Sequence, residues 1–131
     1  MNIMELENLK GKTILIVEDD FSSKLYLNKI LEKTGAILFN AADGNEALDM
    51  VLKNSDIDLI LMDIQLPVLD GYACTKILRE SGNKMVIIAQ TAYGLSGDQE
   101  RMNSIGFDDY LIKPISQKQL IDKISYYLLK H

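Results

Sequence analysis

Little in this 131-residue chain suits covalent cross-linking, a membrane span or a nucleic-acid surface. It has one cysteine, Cys74, so no internal disulfide can form and an intracellular chain is expected. Its one histidine, His131, is the last residue, where chains usually fray, so no cluster of histidine metal ligands exists. The 14 basic residues are outnumbered by 19 acidic ones, a net charge of −5 that argues against a basic nucleic-acid footprint. The same excess leaves room for an acidic site that attracts a cation. No apolar run approaches the ~20 residues of a membrane helix. The start, "MNIMELENLKGK", lacks the basic and apolar regions of a secretory signal, and residues 1–11 read as a polar tether before a domain over 12–131.

What is present is the make-up of one folded domain: 47% hydrophobic and 25% charged residues. Short apolar runs alternate with helical patterns throughout. "TILIV" (13–17), "IDLILM" (57–62) and "KMVIIAQ" (84–90) read as strong strands, "AILFNA" (36–41) as a weaker one and "DYLI" (109–112) as a short one. Runs rich in Ile, Leu and Val suit a parallel sheet covered on both faces. Between them, Leu27, Ile30, Leu31 and Thr34 form a helical stripe that Gly35 stops. Ala47, Leu48, Val51 and Leu52 form a second stripe, and Cys74, Ile77 and Leu78 a third. Leu120, Ile121, Ile124 and Leu128 line the last helix, whose start, Ser116 with Gln119, fits a capping box. Segment 94–106 has only Leu95, Met102 and Ile105 as large apolar anchors, so it is expected to be the least firmly docked.

The order is (βα)5, which predicts an α/β domain with right-handed crossovers. Five such units suit the flavodoxin-like parallel sheet 2-1-3-4-5, whose site lies beyond the carboxyl ends of the strands. The residues at those ends are Glu18 and Asp19, then Asp63, Thr91 and Lys113. Three clustered carboxylates repel one another unless a cation intervenes, and Mg²⁺, which takes oxygen ligands, removes the conflict. A carboxylate beside such a metal can form an aspartyl phosphate, with a hydroxyl and an ammonium to stabilise the phosphoryl oxygens. Asp63 follows the central strand opposite the other two and is the better nucleophile. Asp20 is read as opening the first helix, where acidic residues favour the dipole, although Asp19 and Asp20 would be the alternative acidic pair. "MDIQLPVLDG" brings Pro67 and Asp70-Gly71, turn residues that hold a loop above the site. Cys74 and the methionines read as core.

These motifs together, in order and at strand ends, resemble the receiver domain of two-component response regulators: an acidic pair after the first strand, "MDIQLPVLDG", "QTAY" and "YLIKPI". The resemblance covers roughly residues 12 to 130. It implies that Asp63 accepts a phosphoryl group from a phosphohistidine on a partner histidine kinase. Asp19 and Asp63 would bind Mg²⁺ directly with the backbone carbonyl of Gln65, and Glu18, an Asp in many relatives, would act mostly through a water. Thr91 and Tyr110 would be the switch pair. Lys113 would contact the phosphoryl group, with the Lys113-Pro114 bond cis. Gln65 and Tyr93 would tune the lifetime of the acyl phosphate. "LKGKTILIVEDD", "IIAQTAY" and "GFDDYLIKPI" resemble receivers at the C-terminus of hybrid sensor histidine kinases, which implies an excised domain; a stand-alone regulator is the alternative. Either form would work in the cytoplasm and pass the signal to a histidine phosphotransfer protein or an output domain.

Three rival functions share the fold class, since fold does not fix function. A nucleotide or flavin domain needs a Gly- or hydroxyl-rich loop after the first strand, whereas "EDDFSS" would repel a phosphate arriving without a metal. An Asp-nucleophile phosphatase resembles its relatives in a second Asp two residues on, where this chain has Gln65. A pseudo-receiver that only binds partners would not need the complete set of site residues found here.

Overall fold

In the computed structural model, residues 8–92 and 98–129 are described. Five strands and five helices alternate: β1 (Thr13–Val17), α1 (Phe21–Glu32), β2 (Ile37–Ala41), α2 (Gly44–Lys53), β3 (Leu59–Asp63), α3 (Gly71–Glu80), β4 (Val86–Thr91), α4 (Asp98–Ile105), β5 (Asp109–Ile112) and α5 (Gln117–Leu129). The strands form one parallel sheet in the order β2-β1-β3-β4-β5, as expected.

Period-two alternation divides each apolar strand between two cores. Ile14, Ile16, Leu59, Leu61, Ile88 and Leu111 face α1 and α5, meeting Leu27, Leu31, Leu120 and Ile124. Leu15, Val17, Ile60, Met62, Ile87 and Ala89 face the other layer, with Ala47, Cys74, Leu78, Met102 and Phe107. Fully burying one such aliphatic side chain contributes about 1.5–3 kcal/mol, which is why the central strands tolerate almost nothing polar until their last residues.

Helix starts are set by side chains that satisfy otherwise unpaired N–H groups. Asp20 accepts from Ser23 N–H at 2.8 Å, Asp43 from Glu46 N–H at 2.9 Å and Asp70 from Ala73 N–H at 2.8 Å. Asp20 is thus a helix cap, and these bonds hold its carboxyl below the ordinary range. The reciprocal pair at α5 is also present: Gln119 N–H donates to Ser116 Oγ at 3.1 Å, and Ser116 N–H to Gln119 Oε1 at 3.5 Å.

Several boundaries and faces differ from the sequence pattern. Ala36, Ile57, Asp58, Lys84 and Met85 lie outside the strands, whereas Asp63 and Thr91 are their last members. Thr34 is buried but beyond the end of α1, where its hydroxyl donates to Leu31 O and Gly35 turns the chain at φ +85°. Leu52 is 84% exposed and Ile77 39% exposed, so neither belongs to its predicted buried stripe. Met50, with Ala47, Leu48 and Val51, makes the inner contacts of α2 instead. In α4, Met102 is buried and Ile105 half-buried; Leu95 and Tyr93 lie outside the described residues, as does His131.

The packed unit also begins earlier than residue 12. Leu9, inside the presumed tether, is fully buried in the α1–α5 core, and its N–H donates to Thr34 O at 2.9 Å. An isolated leucine among polar residues carries no periodic signal, so only the fold reveals it. Leu9→Ala should therefore cost about 2–4 kcal/mol in urea unfolding. Leu52→Ala should stay within about 0.5 kcal/mol, because its side chain already meets water.

Candidate functional site

Register brings the site together. Val17 pairs with Met62, Asp63 with Gln90, and Thr91 with Ile112. The residues following or ending these pairs, Glu18, Asp63, Thr91 and Lys113, therefore emerge at one edge of the sheet. Carboxylate oxygens of Glu18, Asp19 and Asp63 lie within 4.8 Å of one another. Glu18 and Asp63 are buried at 1% and 4% exposure, while Asp19 is exposed.

Lys113 bridges the two buried acids, its Nζ 2.9 Å from Asp63 Oδ2 and 3.2 Å from Glu18 Oε1. The backbone supplies further donors: Gln65 N–H to Asp63 Oδ1 at 2.9 Å and Asp20 N–H to Glu18 Oε2 at 3.1 Å. One ammonium does not neutralise three carboxyl groups. Burial, a hydrogen bond with Asp63 and the charge of Asp63 push the Glu18 carboxyl up to about 7. Desolvation alone would lower the Lys113 pKa, but the hydrogen bond and charge of Asp63, with Glu18, reverse that and raise it. An all-oxygen donor set with surplus negative charge fits Mg²⁺ by donor chemistry.

The remaining predicted residues surround this centre. Thr91 is buried at the end of β4, and its carbonyl accepts Lys113 N–H at 2.7 Å, tying the ends of β4 and β5. Lys113-Pro114 is cis, in agreement with the resemblance. Tyr110 is half-buried against the layer containing α2, α3 and α4. Lys123 Nζ lies 5.5 Å from the ring centroid of Tyr110 and 3.0 Å from its carbonyl. Gln65 is exposed on the loop that leaves Asp63.

Sequence patterns did not reveal how that loop is held. Gly44 N–H, at the start of α2, donates to Leu69 O at 3.0 Å, and a Cβ on Gly44 would come within 2.3 Å of the same oxygen. At the other end, a Cβ on Gly71 would sit 2.2 Å from Asp63 O. Between these close approaches Val68 takes φ +66°, an unfavourable conformation for a β-branched residue. "DG" at 70–71 signalled a turn, but nothing local to Gly44 indicates a neighbour 25 residues away.

The Glu18 shift has a testable sign. Its folded pKa of about 7 exceeds the ordinary 4.5, so the acid's contribution to stability is complete below about 4.5 and is lost as pH rises through 7. In EDTA, the wild type should lose stability between pH values near 5 and near 8, measured by urea unfolding, and Glu18→Gln should flatten that decline.

Comparison with known proteins agrees with this geometry. The family model described as "Response regulator receiver domain" matches residues 14–125. A hybrid signal transduction histidine kinase I of Dictyostelium discoideum is 38% identical over 126 residues, covering 90% of this chain but 7% of the kinase. The polar-differentiation response regulator DivK of Brucella ovis is 38% identical over 119 residues, covering 89% of this chain and 96% of DivK. The similar sequences thus include both a hybrid kinase and a regulator of nearly this length. Among solved structures, the receiver domain of the sensor histidine kinase PA1611 from Pseudomonas aeruginosa aligns with TM-score 0.81 and 37% identity, covering 90% of this chain and 98% of that one. That structure has a magnesium ion coordinated in its active-site cleft. A Francisella response-regulator receiver domain aligns with TM-score 0.86 and 29% identity over 92% of this chain and 98% of its own. With its strand order, its acidic strand-end site and these likenesses in agreement, the chain belongs to the response-regulator receiver domain family of two-component signalling.

Proposed function

We propose that Asp63 is the phosphoacceptor, taking a phosphoryl group from a phosphohistidine of a partner histidine kinase. The observation that carries this reading is the buried Asp63 carboxylate, held by Lys113 at 2.9 Å beside Glu18 and Asp19. An Asp63 oxygen attacks phosphorus, the P–N bond to the donor imidazole breaks, and the electron pair leaves with that nitrogen. Lys113 then moves its ammonium from paired carboxylates to a phosphoryl oxygen, an interaction that strengthens as charge develops. Asp19, Asp63 and the Gln65 carbonyl would hold Mg²⁺, with Glu18 acting through a water. When bound, the ion offsets the charge of the carboxylates and phosphoryl oxygens.

The switch follows from the added charge. The Thr91 hydroxyl would turn toward the new phosphoryl oxygens, and Tyr110 would fill space on the α4 side. Met102 and Ile105 anchor α4 lightly, so this helix with β5 and α5 is the surface that changes. The reader of that surface would be a histidine phosphotransfer protein or an output domain, in the cytoplasm.

Intact mass after incubation with acetyl phosphate tests the chemistry. The wild type should gain one phosphoryl group only with Mg²⁺ present, and Asp63→Asn none. Lys113→Ala should slow the gain by about 10²–10³-fold, the scale for losing one preorganised charge-stabilising group. A wild type that binds Mg²⁺ yet stays unmodified by both acetyl phosphate and a phosphohistidine donor would overturn the assignment. Thr91→Ala should still accept the group while losing the phosphorylation-dependent change in amide exchange of α4, measured by mass spectrometry.

A further inference from the structure

Among the described residues, α4 offers the core only Met102, buried, and Ile105, half-buried. Its other attachments go to α3. The Arg101 guanidinium carbon lies 3.8 Å from the centre of the Tyr72 ring. The Phe107 ring, just past α4, meets the same ring edge-on, with 6.0 Å between centroids and 85° between planes. Arg79 lies two turns further along α3, on the same face as Tyr72. Its Nε donates to Gly106 O at 2.8 Å and its Nη2 to Asp108 Oδ2 at 2.9 Å. α4 and the turn that follows it are thus carried on one face of α3. An open groove of about 680 Å³ between the two helices leaves α4 room to tilt.

The two attachments are unequal. Arg79 also donates through Nη1 to Asn83 O at 3.1 Å and Met85 O at 2.7 Å, and Asp108 Oδ2 accepts Ile87 N–H at 2.8 Å. Gly106, at φ +119°, passes so close that a Cβ there would come within 2.6 Å of Arg79 Cγ. That end is bound by α3, the turn before β4 and β4 itself. The other end rests on a cation–π stack whose cation, Arg101, is exposed. Tyr72 is placed by the acceptor loop. It follows Gly71, whose N–H donates to Ile64 O at 3.2 Å and where a Cβ would sit 2.2 Å from Asp63 O. The ring is therefore fixed to the backbone around Asp63, while the cation stacked on it belongs to the lightly anchored helix.

We propose that the Tyr72–Arg101 stack is a latch that holds α4 against α3 in the unphosphorylated chain and opens when Asp63 is phosphorylated, with the Arg79 bracket as the pivot. This deepens the phosphoacceptor reading and rests on it. A helix bound by many contacts at one end and by a single stack at the other turns about the first. The stack is then the contact given up as α4 moves. A contact made only in the unphosphorylated form opposes phosphorylation, and by linkage its removal favours the phosphorylated form by the same factor. Tyr72 and Arg101 touch no reacting atom, so both are positioning residues.

Arg101→Met keeps a long side chain at an exposed position and removes the cation, so it should fold as the wild type does. Amide exchange of residues 98–105, followed by mass spectrometry in EDTA, should become faster by roughly fivefold, the scale of one cation–π contact. Residues 106–109, at the pivot, should exchange as before. Tyr72→Leu should act alike, and the double variant no further than either single one. After incubation with acetyl phosphate and Mg²⁺, intact mass should show a larger phosphorylated share in Arg101→Met than in the wild type. Once phosphorylated, the two should exchange residues 98–105 at the same rate. Unchanged exchange in unphosphorylated Arg101→Met would overturn the latch. So would additive effects of the two changes, or an equal acceleration in both forms, which would mean a contact kept throughout. A chain that gains no phosphoryl group from acetyl phosphate or a phosphohistidine donor is a separate failure, which overturns the acceptor reading and the release step with it.

Discussion

The structure turns on the conflict between two buried carboxyl groups and the single ammonium that joins them. Glu18 and Asp63 stand at the ends of adjacent strands, each after four buried apolar residues, and Lys113 reaches both. Burial of a charge is tolerated only where a partner compensates it. Here compensation is incomplete: the Glu18 carboxyl is driven up to about 7, so a proton stands in part where a cation would. A site short of positive charge and lined by carboxylate oxygens fits a divalent cation by its donor chemistry.

The rest of the fold maintains that shortage at one place. Parallel register aligns the strand ends, and two aliphatic cores keep the sheet from shifting. Helix caps remove Asp20, Asp43 and Asp70 from the list of free acids by binding them to backbone N–H groups. Among the described residues the cluster holds three carboxylates, Glu18, Asp19 and Asp63. The loop after Asp63 is fixed from two sides by glycines that allow backbone contact, with the strain of Val68 between them. Such strain persists only where surrounding contacts over-determine the conformation.

Apolar packing is distributed unevenly over the elements. β1, β3 and β4 are buried along nearly their whole length, and α5 contributes five buried residues, so Asp63 rests on a densely packed frame. α4 has fewer apolar contacts, and its neighbour β5 presents Ile112 to solvent. The acidic cluster thus stands on the densely packed strands, while the lightly anchored elements are α4 and β5.

Much of this was legible in the sequence because it depends on local chemistry. Apolar runs and their spacing determine five βα units, and alternation then requires that each strand's last residues face the common edge. Asp63, Glu18, Asp19, Thr91 and Lys113 could be named because their residue types, at strand ends, are compatible with few other uses. What only the tertiary structure decided are contacts between elements distant in sequence. Leu9 becomes core because α1 and α5 meet over it; Leu52 and Ile77 leave it because helix rotation is set by packing, not by period alone. Gly44 gains its purpose from Leu69, and Gln90, although polar, is fully buried near the end of β4. Local pattern sets which way a side chain can point along its own element; what it meets there is determined by the neighbours that folding brings.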